Sequence, residues 1–304
     1  MTRSLGFLIP CLVSCLNGTL TIPEARADGN ESVSEMKIAV METAFNRKAG
    51  DVTSFADAKA AGYSAIQMHS GQPKGMNKNN PIDPATSLEI GKDPSVLESW
   101  KQASEESEVE IISLCAGSLN ACQIWDRDYG VSMRIAEQTI DACEYLGVPI
   151  MLFPFFGNSR FQDSDIAYDG VLGFLEDLLP YAVERDVIIG IEAPVTTERV
   201  ISLIEKLGSP PHLKVYYDTG NLYSMENIYE TIGKYAKDYF CEVHIKSPGN
   251  LVVGEGDVDL AKVAAALDAG GYDKWLVYEA GRGGRDPVAN LESLKKIVSL
   301  RKMR

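Results

Sequence analysis

The sequence predicts a single closed (βα)8 barrel, an α/β fold in which eight parallel strands are surrounded by helices. The 304 residues are about the length that one such barrel and a short leader require. Eight short apolar runs alternate along the chain with amphipathic segments, as expected of repeated βα units. An open, doubly wound sheet is the alternative, but no glycine-rich GxGxxG motif follows the first apolar run.

The eight apolar runs are the predicted strands. Several are rich in Val and Ile and are apolar on both alternating faces, which is typical of strands buried on both sides of a parallel sheet. In chain order the predicted strands are Lys37–Glu42, Ala65–His69, Glu110–Ala116, Pro149–Phe156, Val187–Glu192, Leu213–Asp218, Phe240–Lys246 and Trp275–Glu279.

Helix signals lie between these runs. We expect Asp51 to cap the first helix, and Pro94 suits the first turn of the second. The segment Gly170–Arg185 places its leucines on one stripe, as a helix that packs on a core does. Gly208 is expected to end a later helix, and Asp286-Pro287 is expected to open the last one.

The first residues have the pattern of an export signal. Arg3 supplies a positive charge, Leu5–Leu16 is mainly apolar, and a small-x-small cleavage site ends at Ala27. An apolar stretch of about a dozen residues is too short to remain in a bilayer as a spanning helix. We therefore expect a signal peptide over residues 1–27, a catalytic barrel domain over residues 28–304, and export, with the periplasm favoured.

The cysteines leave two questions open. The sequence before Cys15 is also compatible with a lipoprotein signal, in which Cys15 would carry a lipid anchor. Cleavage after residue 27 leaves four cysteines, whose spacing assigns no disulfide pairs and matches no CxxC or Cys/His zinc pattern. They are Cys115, Cys122, Cys143 and Cys241.

The charge argues against nucleic acid as a partner. The formal net charge is −14, and no run of Lys or Arg stands out in the sequence. Such an acidic protein repels the phosphate backbone of DNA or RNA. Beyond the leader, no stretch is apolar enough to predict a membrane span.

Four consecutive predicted strands end in a side chain suited to binding a hard metal ion. They are Glu192, Asp218, His244 and Glu279, separated by 26, 26 and 35 residues, each about one βα unit. Such strand ends converge on one rim of a barrel, where four buried polar groups would cost stability without a shared cation. Three carboxylates and one imidazole predict one divalent ion, with Mn²⁺ favoured and Mg²⁺, Co²⁺ or Zn²⁺ as alternatives.

Five motifs carry a resemblance to a known family: Gly190-Ile191-Glu192, Tyr216-Tyr217-Asp218-Thr219-Gly220-Asn221, Glu242-Val243-His244-Ile245-Lys246, Gly254-Glu255-Gly256-Asp257-Val258-Asp259 and Tyr278-Glu279. From Met36 to about Val298 the chain resembles the xylose isomerase-like barrels, which include sugar phosphate isomerases and epimerases. The resemblance implies that the four strand-end residues are metal ligands. It also implies that Glu192 and Glu279 act as the acid/base pair, and that Glu198 contacts the substrate.

Three further residues are candidate substrate contacts. Lys246 lies two residues past His244, on the same side of its predicted strand, and His69 ends the second predicted strand. Asn221 stands where ketose 3-epimerases of the family typically have a histidine, and Asn250 stands where they have an arginine. These departures leave the substrate open.

The resemblance implies a metal-dependent sugar isomerase or epimerase. In this chemistry a glutamate removes the proton next to a carbonyl, and the metal stabilises the resulting enediolate. Export would separate the enzyme from cytoplasmic sugar phosphates, so a non-phosphorylated sugar is expected. The main alternative is a lyase or hydratase that uses the same site to eliminate from a keto-sugar or a 3-keto-glycoside.

Two other classes fit less well. Endonuclease chemistry on abasic DNA, which the same superfamily supports, uses a multi-zinc site rich in histidine, whereas this chain has three histidines in all. A non-catalytic sugar-binding relative would have no need of all four ligands. We expect a small carbohydrate as the partner. Relatives often form dimers or tetramers, but the sequence leaves open whether this chain is a homo-oligomer.

Overall fold

Eight parallel strands form a closed barrel in the computed structural model, which describes residues 37–70, 94–161, 164–279 and 286–302. The strands follow one another around the barrel in chain order, and the last pairs with the first. In the described residues they are β1 (Ile38–Met41), β2 (Ala65–His69), β3 (Glu110–Cys115), β4 (Ile150–Pro154), β5 (Ile188–Glu192), β6 (Leu213–Asp218), β7 (Phe240–Ile245) and β8 (Leu276–Tyr278). The predicted (βα)8 fold is confirmed.

A long helix follows each strand in the described part of the chain. These helices are α1 (Ser54–Ala61), α2 (Pro94–Ser107), α3 (Tyr129–Leu146), α4 (Asp165–Glu184), α5 (Thr197–Lys206), α6 (Ile228–Tyr239), α7 (Leu260–Ala269) and α8 (Pro287–Lys302). The large apolar cluster consists of side chains from both the strands and the helices, as in a core between two layers. A smaller cluster consists of buried strand residues that face the inside of the barrel.

All eight predicted strands are present, each within two residues of its expected bounds. The largest difference is in β4, where the predicted run Pro149–Phe156 extends beyond the strand. The apolar residues continue past the strand because Phe155 stacks on Phe153, with ring centroids 4.3 Å apart, and meets Phe161 edge-on at 5.1 Å. The excess apolar sequence therefore reflects core packing in the loop.

The start of α1 differs from the expectation. Thr53, and not Asp51, is the residue before the helix, and its side chain makes no capping bond. The Asp51 carboxylate accepts hydrogen bonds from the Thr53 N–H at 3.0 Å and from the Thr53 hydroxyl at 2.7 Å. Asp51 therefore forms a side-chain turn that precedes the helix.

Helix α4 begins earlier than the leucine stripe indicated. It starts at Asp165, where the Ser164 hydroxyl accepts a hydrogen bond from the backbone of the first turn. Gly170 lies inside the helix, at a point where Trp125 packs directly against the helix backbone. A Cβ at Gly170 would lie 2.1 Å from Cβ of Trp125. This glycine serves packing and does not mark a helix end.

The strand register brings the predicted ligand positions to one rim. Asp218 pairs with His244 between β6 and β7, and β5 ends at Glu192. The register between β7 and β8 puts Glu279 level with Lys246. Because all eight strands run in the same direction, these residues meet at the carboxyl-terminal mouth of the barrel.

The remaining structural predictions concern the leader, membrane spans and the cysteines. The predicted signal peptide and Cys15 lie outside the described residues. Within the described ranges, no helix combines the length and the apolar character needed to cross a membrane. The four remaining cysteines are buried and have free thiols; they are Cys115, Cys122, Cys143 and Cys241.

Candidate metal centre

Four side chains from adjacent strands converge at the mouth of the barrel. Glu192, Asp218, His244 and Glu279 each offer one ligand atom, and these atoms all lie within 4.8 Å of one another. The Nδ1 atom of His244 is 3.6 Å from Glu192 Oε1, 3.8 Å from Asp218 Oδ2 and 3.4 Å from Glu279 Oε2. We call these four residues the metal-site cluster, because the set could hold one metal ion.

The cluster has the charge that fits a divalent cation. His244 is fully buried and Asp218 is 1% exposed, so solvent does little to screen charge at these side chains. Asp218 Oδ2 and His244 Nδ1 are buried atoms without a hydrogen-bond partner among the described residues. When all three carboxylates are ionised and His244 is neutral, as metal binding requires, the single nearby ammonium of Lys246 leaves two negative charges uncompensated. A divalent ion would neutralise them and use the unpartnered atoms as ligands.

The pKa values of the cluster residues reflect the same excess of negative charge. Burial raises the pKa of Asp218 well above its usual range, against the opposing effect of Lys246. Burial lowers the pKa of His244, but Glu192 and Glu279 outweigh it and raise this pKa to about 10. Burial also raises the pKa of Glu279, but Lys246 and His244 bring it well below its usual range. Without a cation, the raised pKa values therefore favour protons on the aspartate and the histidine.

The turn after β6 directs Asp218 at the cluster. Its Oδ1 accepts hydrogen bonds from the backbone N–H groups of Gly220 and Asn221, both at 2.7 Å, and caps the single helical turn Thr219–Leu222. This leaves Oδ2 for the cluster. Gly220 is needed because a Cβ there would lie 2.8 Å from Cγ of Lys246.

Asn221 and Lys246 link the two glutamates of the cluster. Asn221 Nδ2 donates to Glu192 Oε1 at 2.9 Å, and Lys246 Nζ donates to Glu279 Oε2 at 2.9 Å. Lys246 also donates to Asn221 Oδ1 at 3.2 Å. Burial lowers the pKa of Lys246, but Asp218 and then Glu279 raise it above its ordinary value, so this side chain is an ammonium. Both residues, which the sequence predicts as substrate contacts, lie at the cluster.

A buried polar network lies beneath His244, and it is not predicted from the sequence. Gln67 Oε1 is 3.0 Å from His244 Nε2, while Gln67 Nε2 donates to the Ser113 hydroxyl at 2.9 Å and the Tyr216 hydroxyl at 2.8 Å. These hydroxyls donate to Glu242 Oε2 at 2.8 and 2.7 Å. The only signal in the sequence is strand alternation, because Glu242 lies two residues before His244 and faces the same side.

The comparisons with known proteins identify the family. The xylose isomerase-like TIM barrel family matches residues 55–298, a range that includes all four residues of the metal-site cluster. The chain belongs to this family. No curated protein matches the sequence.

Solved structures with this fold include sugar epimerases. A D-allulose 3-epimerase from Methylomonas sp., in complex with D-allulose, is 16% identical, with a TM-score of 0.66 over 86% of this chain and 97% of that chain. A 3-keto-D-glucoside 4-epimerase from E. coli is 18% identical, with a TM-score of 0.64 over 87% of this chain and 99% of that chain. The IOLI protein, solved with a zinc atom, is 15% identical, with a TM-score of 0.59 over 88% and 96%. At these identities the likeness is one of fold.

In this xylose isomerase-like barrel, His69 lies at the same rim but outside the metal-site cluster. It is 4% exposed, and its Nδ1 is 3.0 Å from Glu42 Oε1. The Glu42 carboxylate also accepts hydrogen bonds from the backbone N–H groups of His69 at 2.9 Å and Gly50 at 2.8 Å. Burial lowers the pKa of His69, but Cys115 and Glu42 raise it well above its usual value. Glu42 therefore fixes His69, whose contact with substrate stays a prediction.

Glu198 is not brought to the metal-site cluster. Its side chain is 71% exposed and accepts hydrogen bonds from the Tyr235 hydroxyl at 2.8 Å and the Lys234 ammonium at 3.3 Å, both on α6. The reason is that α5 begins at Thr197, so Glu198 lies in the first turn of a helix and turns toward the neighbouring helix. The expected substrate contact at Glu198 has no support in this geometry.

Proposed function

We propose that this protein is a divalent-metal-dependent sugar isomerase or epimerase that moves a proton on the carbon next to a carbonyl. The observation that carries the proposal is the convergence of two glutamates, one aspartate and one histidine within 4.8 Å at the mouth of the barrel. The fold that the chain shares with two sugar epimerases supports this reaction class. Mn²⁺ is the favoured ion, since carboxylate and imidazole ligands suit it.

The ion would be held by the metal-site cluster. When bound, a divalent ion polarises a carbonyl and offsets negative charge that develops on its oxygen. Its ligands would be Glu192, Asp218, His244 and Glu279.

The two glutamates would transfer the proton. One carboxylate takes a proton from the carbon beside the carbonyl; the C–H electron pair becomes a C=C bond and the carbonyl π pair moves to oxygen, which gives an enediolate. Return of a proton to the same carbon from the opposite face, by the other glutamate, gives an epimer. Return of a proton to the former carbonyl carbon, with transfer of the neighbouring hydroxyl proton to the former carbonyl oxygen, gives an isomer. Glu192 and Glu279 are the acid/base pair of this scheme.

Asn221 and Lys246 would orient this pair, and Lys246 would also add a positive charge at the mouth of the barrel. The Asn221 amide holds Glu192 through a 2.9 Å hydrogen bond, while the Lys246 ammonium holds Glu279 at the same distance. An ammonium fixed beside the reacting carbon stabilises negative charge on substrate oxygens as it forms, without having to reorganise. We propose these two residues, together with His69 at the same rim, as substrate contacts.

Elimination is the second candidate reaction. The first proton is removed in the same way; the carbonyl then re-forms, the C=C bond shifts to the adjacent carbon, and a hydroxyl or glycosidic oxygen leaves that carbon with its bonding pair and takes a proton from a protonated glutamate. Asn221 favours this option, because ketose 3-epimerases of the family typically have a histidine there. The fold is also shared with a 3-keto-D-glucoside 4-epimerase. A keto-sugar or 3-keto-glycoside is therefore the substrate class for a lyase or hydratase.

The test is deuterium exchange followed by NMR. Purified protein with Mn²⁺ is incubated in D2O with a panel of free ketoses and 3-keto-glycosides. Deuterium beside the carbonyl with an intact skeleton indicates isomerisation or epimerisation, whereas release of water or an aglycone indicates elimination. Glu192→Gln should reduce exchange by about a hundredfold or more.

The control is the same chemical change at Glu205, an exposed residue of α5 whose carboxylate accepts a hydrogen bond from Tyr239. Glu205→Gln should exchange at the rate of the unmodified protein. Full exchange by Glu192→Gln would remove the proposed acid/base pair, whichever product forms.

We also propose that the protein is exported. The support is the charged start, the apolar run and the small-x-small site that ends at Ala27. Mass spectrometry of the protein from a periplasmic extract should find Asp28 as the first residue. An intact Met1 on protein that stays in the cytoplasm would contradict export, and a lipid on Cys15 would identify the anchored form.

A further inference from the structure

Four buried side chains connect His244 to the opposite side of the barrel. Gln67 lies on β2, Ser113 on β3, Tyr216 on β6 and Glu242 on β7, and each is at most 1% exposed. We call these four residues the Gln67 network. Its members are joined by hydrogen bonds of 2.7–2.9 Å, and the network meets His244 at 3.0 Å.

The donors and acceptors of the Gln67 network can be assigned in only one way. Glu242 Oε2 accepts from both hydroxyls, so the single hydrogen of Ser113 and the single hydrogen of Tyr216 are used. Each hydroxyl can then only accept from Gln67, whose NH2 group supplies the two hydrogens required. A flipped amide would set its oxygen against two hydroxyl lone pairs, which is repulsive.

The amide orientation fixes the state of His244. Gln67 Oε1 has no hydrogen to give, so His244 Nε2 must carry one. The lone pair then resides on Nδ1 in the neutral imidazole, and Nδ1 is the atom that faces the three carboxylates at 3.4–3.8 Å. A metal ion binds only an unprotonated imidazole nitrogen.

The backbone leaves room for this arrangement. A Cβ at Gly190 would lie 2.8 Å from Cys241 Sγ and 3.1 Å from the Tyr216 ring. The glycine on β5 therefore lets the Tyr216 ring occupy the inside of the barrel, where its hydroxyl reaches Gln67 and Glu242.

We propose that Gln67 is a positioning residue that holds His244 in the Nε2–H tautomer and so presents Nδ1 to a divalent metal ion. Ser113, Tyr216 and Glu242 fix the orientation of the Gln67 amide. The inference rests on the metal centre of the proposed function and is independent of which sugar reacts there. Such outer hydrogen-bond partners orient a ligating imidazole and raise its basicity.

The first test measures Mn²⁺ affinity of the full chain by calorimetry. Gln67→Met keeps the length of the side chain but removes the acceptor, and should weaken Mn²⁺ binding by about 10–100-fold. The melting temperature of the metal-free variant shows whether the barrel is intact.

The matched control is Cys241→Ser. Cys241 is buried inside the same barrel, and its thiol donates to the Val215 carbonyl, a bond that serine can also make. Its Mn²⁺ affinity should equal that of the unmodified protein. If Gln67→Met binds Mn²⁺ as tightly as this control, the positioning role is refuted.

The second test reads the tautomer directly and needs no variant. The chain has three histidines, so long-range proton–nitrogen NMR of the Zn²⁺-loaded protein can resolve them all. His244 should show a protonated Nε2 and a metal-shifted Nδ1. A protonated Nδ1 on the loaded protein would overturn the inference and leave the metal centre standing. If the unmodified protein binds neither Mn²⁺ nor Zn²⁺, the metal centre itself is refuted, and the inference with it.

Discussion

Gly220→Ala tests whether the position of Lys246 matters for the chemistry. Gly220 follows Asp218 at the mouth, and its backbone conformation is one that alanine can adopt, since its φ is not positive. The obstacle is space. An added Cβ would lie 2.8 Å from Lys246 Cγ and 3.1 Å from the Lys246 carbonyl oxygen.

The size of the effect follows from these distances. The Cβ–Cγ contact would be about 0.6 Å shorter than the 3.4 Å at which ordinary contact begins. The carbonyl cannot give way easily because the Thr219 hydroxyl donates to it at 2.9 Å. The Cβ and Cγ atoms of Lys246 must therefore move. This movement breaks or lengthens the 2.9 Å hydrogen bond from Lys246 to Glu279. Overpacking of this kind costs about 1–3 kcal/mol.

Urea denaturation and the exchange assay measure the two consequences separately. Gly220→Ala should lose about 1–3 kcal/mol of unfolding free energy and should exchange substrate protons at least about tenfold more slowly. The control is Gly173→Ala on α4, where an added Cβ meets nothing within 4 Å. It should gain about 0.4–1 kcal/mol without a change in exchange. Full exchange activity in a destabilised Gly220→Ala variant would refute a role for Lys246.

Two further outcomes follow from the charges. Mn²⁺ added to chelator-treated protein at about a hundred times its dissociation constant should stabilise the fold by about 2.7 kcal/mol, or roughly 5–10 °C of melting temperature; no shift in scanning fluorimetry would contradict a metal centre. Glu42→Gln removes the carboxylate that holds His69, and should cost about 3 kcal/mol in denaturant titrations. Because the folded pKa of His69 is raised, the charged pair stabilises the fold fully below the unfolded pKa, and this contribution is lost as the pH rises through the folded pKa. The difference in unfolding free energy between the unmodified protein and Glu42→Gln should therefore narrow at alkaline pH. A difference that does not change with pH would contradict the ion pair.

The metal-site cluster could be predicted from the sequence because its geometry is local to each repeat. Each residue of the cluster lies within one residue of the end of its strand, and parallel strands in a closed barrel bring such ends to one rim. The direction of each side chain then follows from strand alternation. The direction of the Asp218 carboxylate, for example, is set by the helical turn that follows it, and the sequence Thr219-Gly220-Asn221 forms that turn.

Glu198 shows where this reasoning stops. Its expected role came from the resemblance to the family, but a few residues past the strand the chain has entered α5. The direction of a side chain there depends on where the helix starts, and Tyr235 and Lys234 of the next helix compete for the carboxylate. Those contacts depend on how α5 and α6 pack, which the spacing of residues does not fix.

The Gln67 network could not be predicted for a different reason, and that reason bears on how the fold supports the site. Gln67 and His244 are 177 residues apart, on β2 and β7, and meet only because β8 pairs with β1 to close the barrel. The first half of the chain thus contributes no ligand to the metal-site cluster, yet it supplies the group that orients His244. We therefore expect closure of the barrel and the orientation of His244 to be coupled, and an ion bound at the mouth would also stabilise the pairing of the two ends of the sheet.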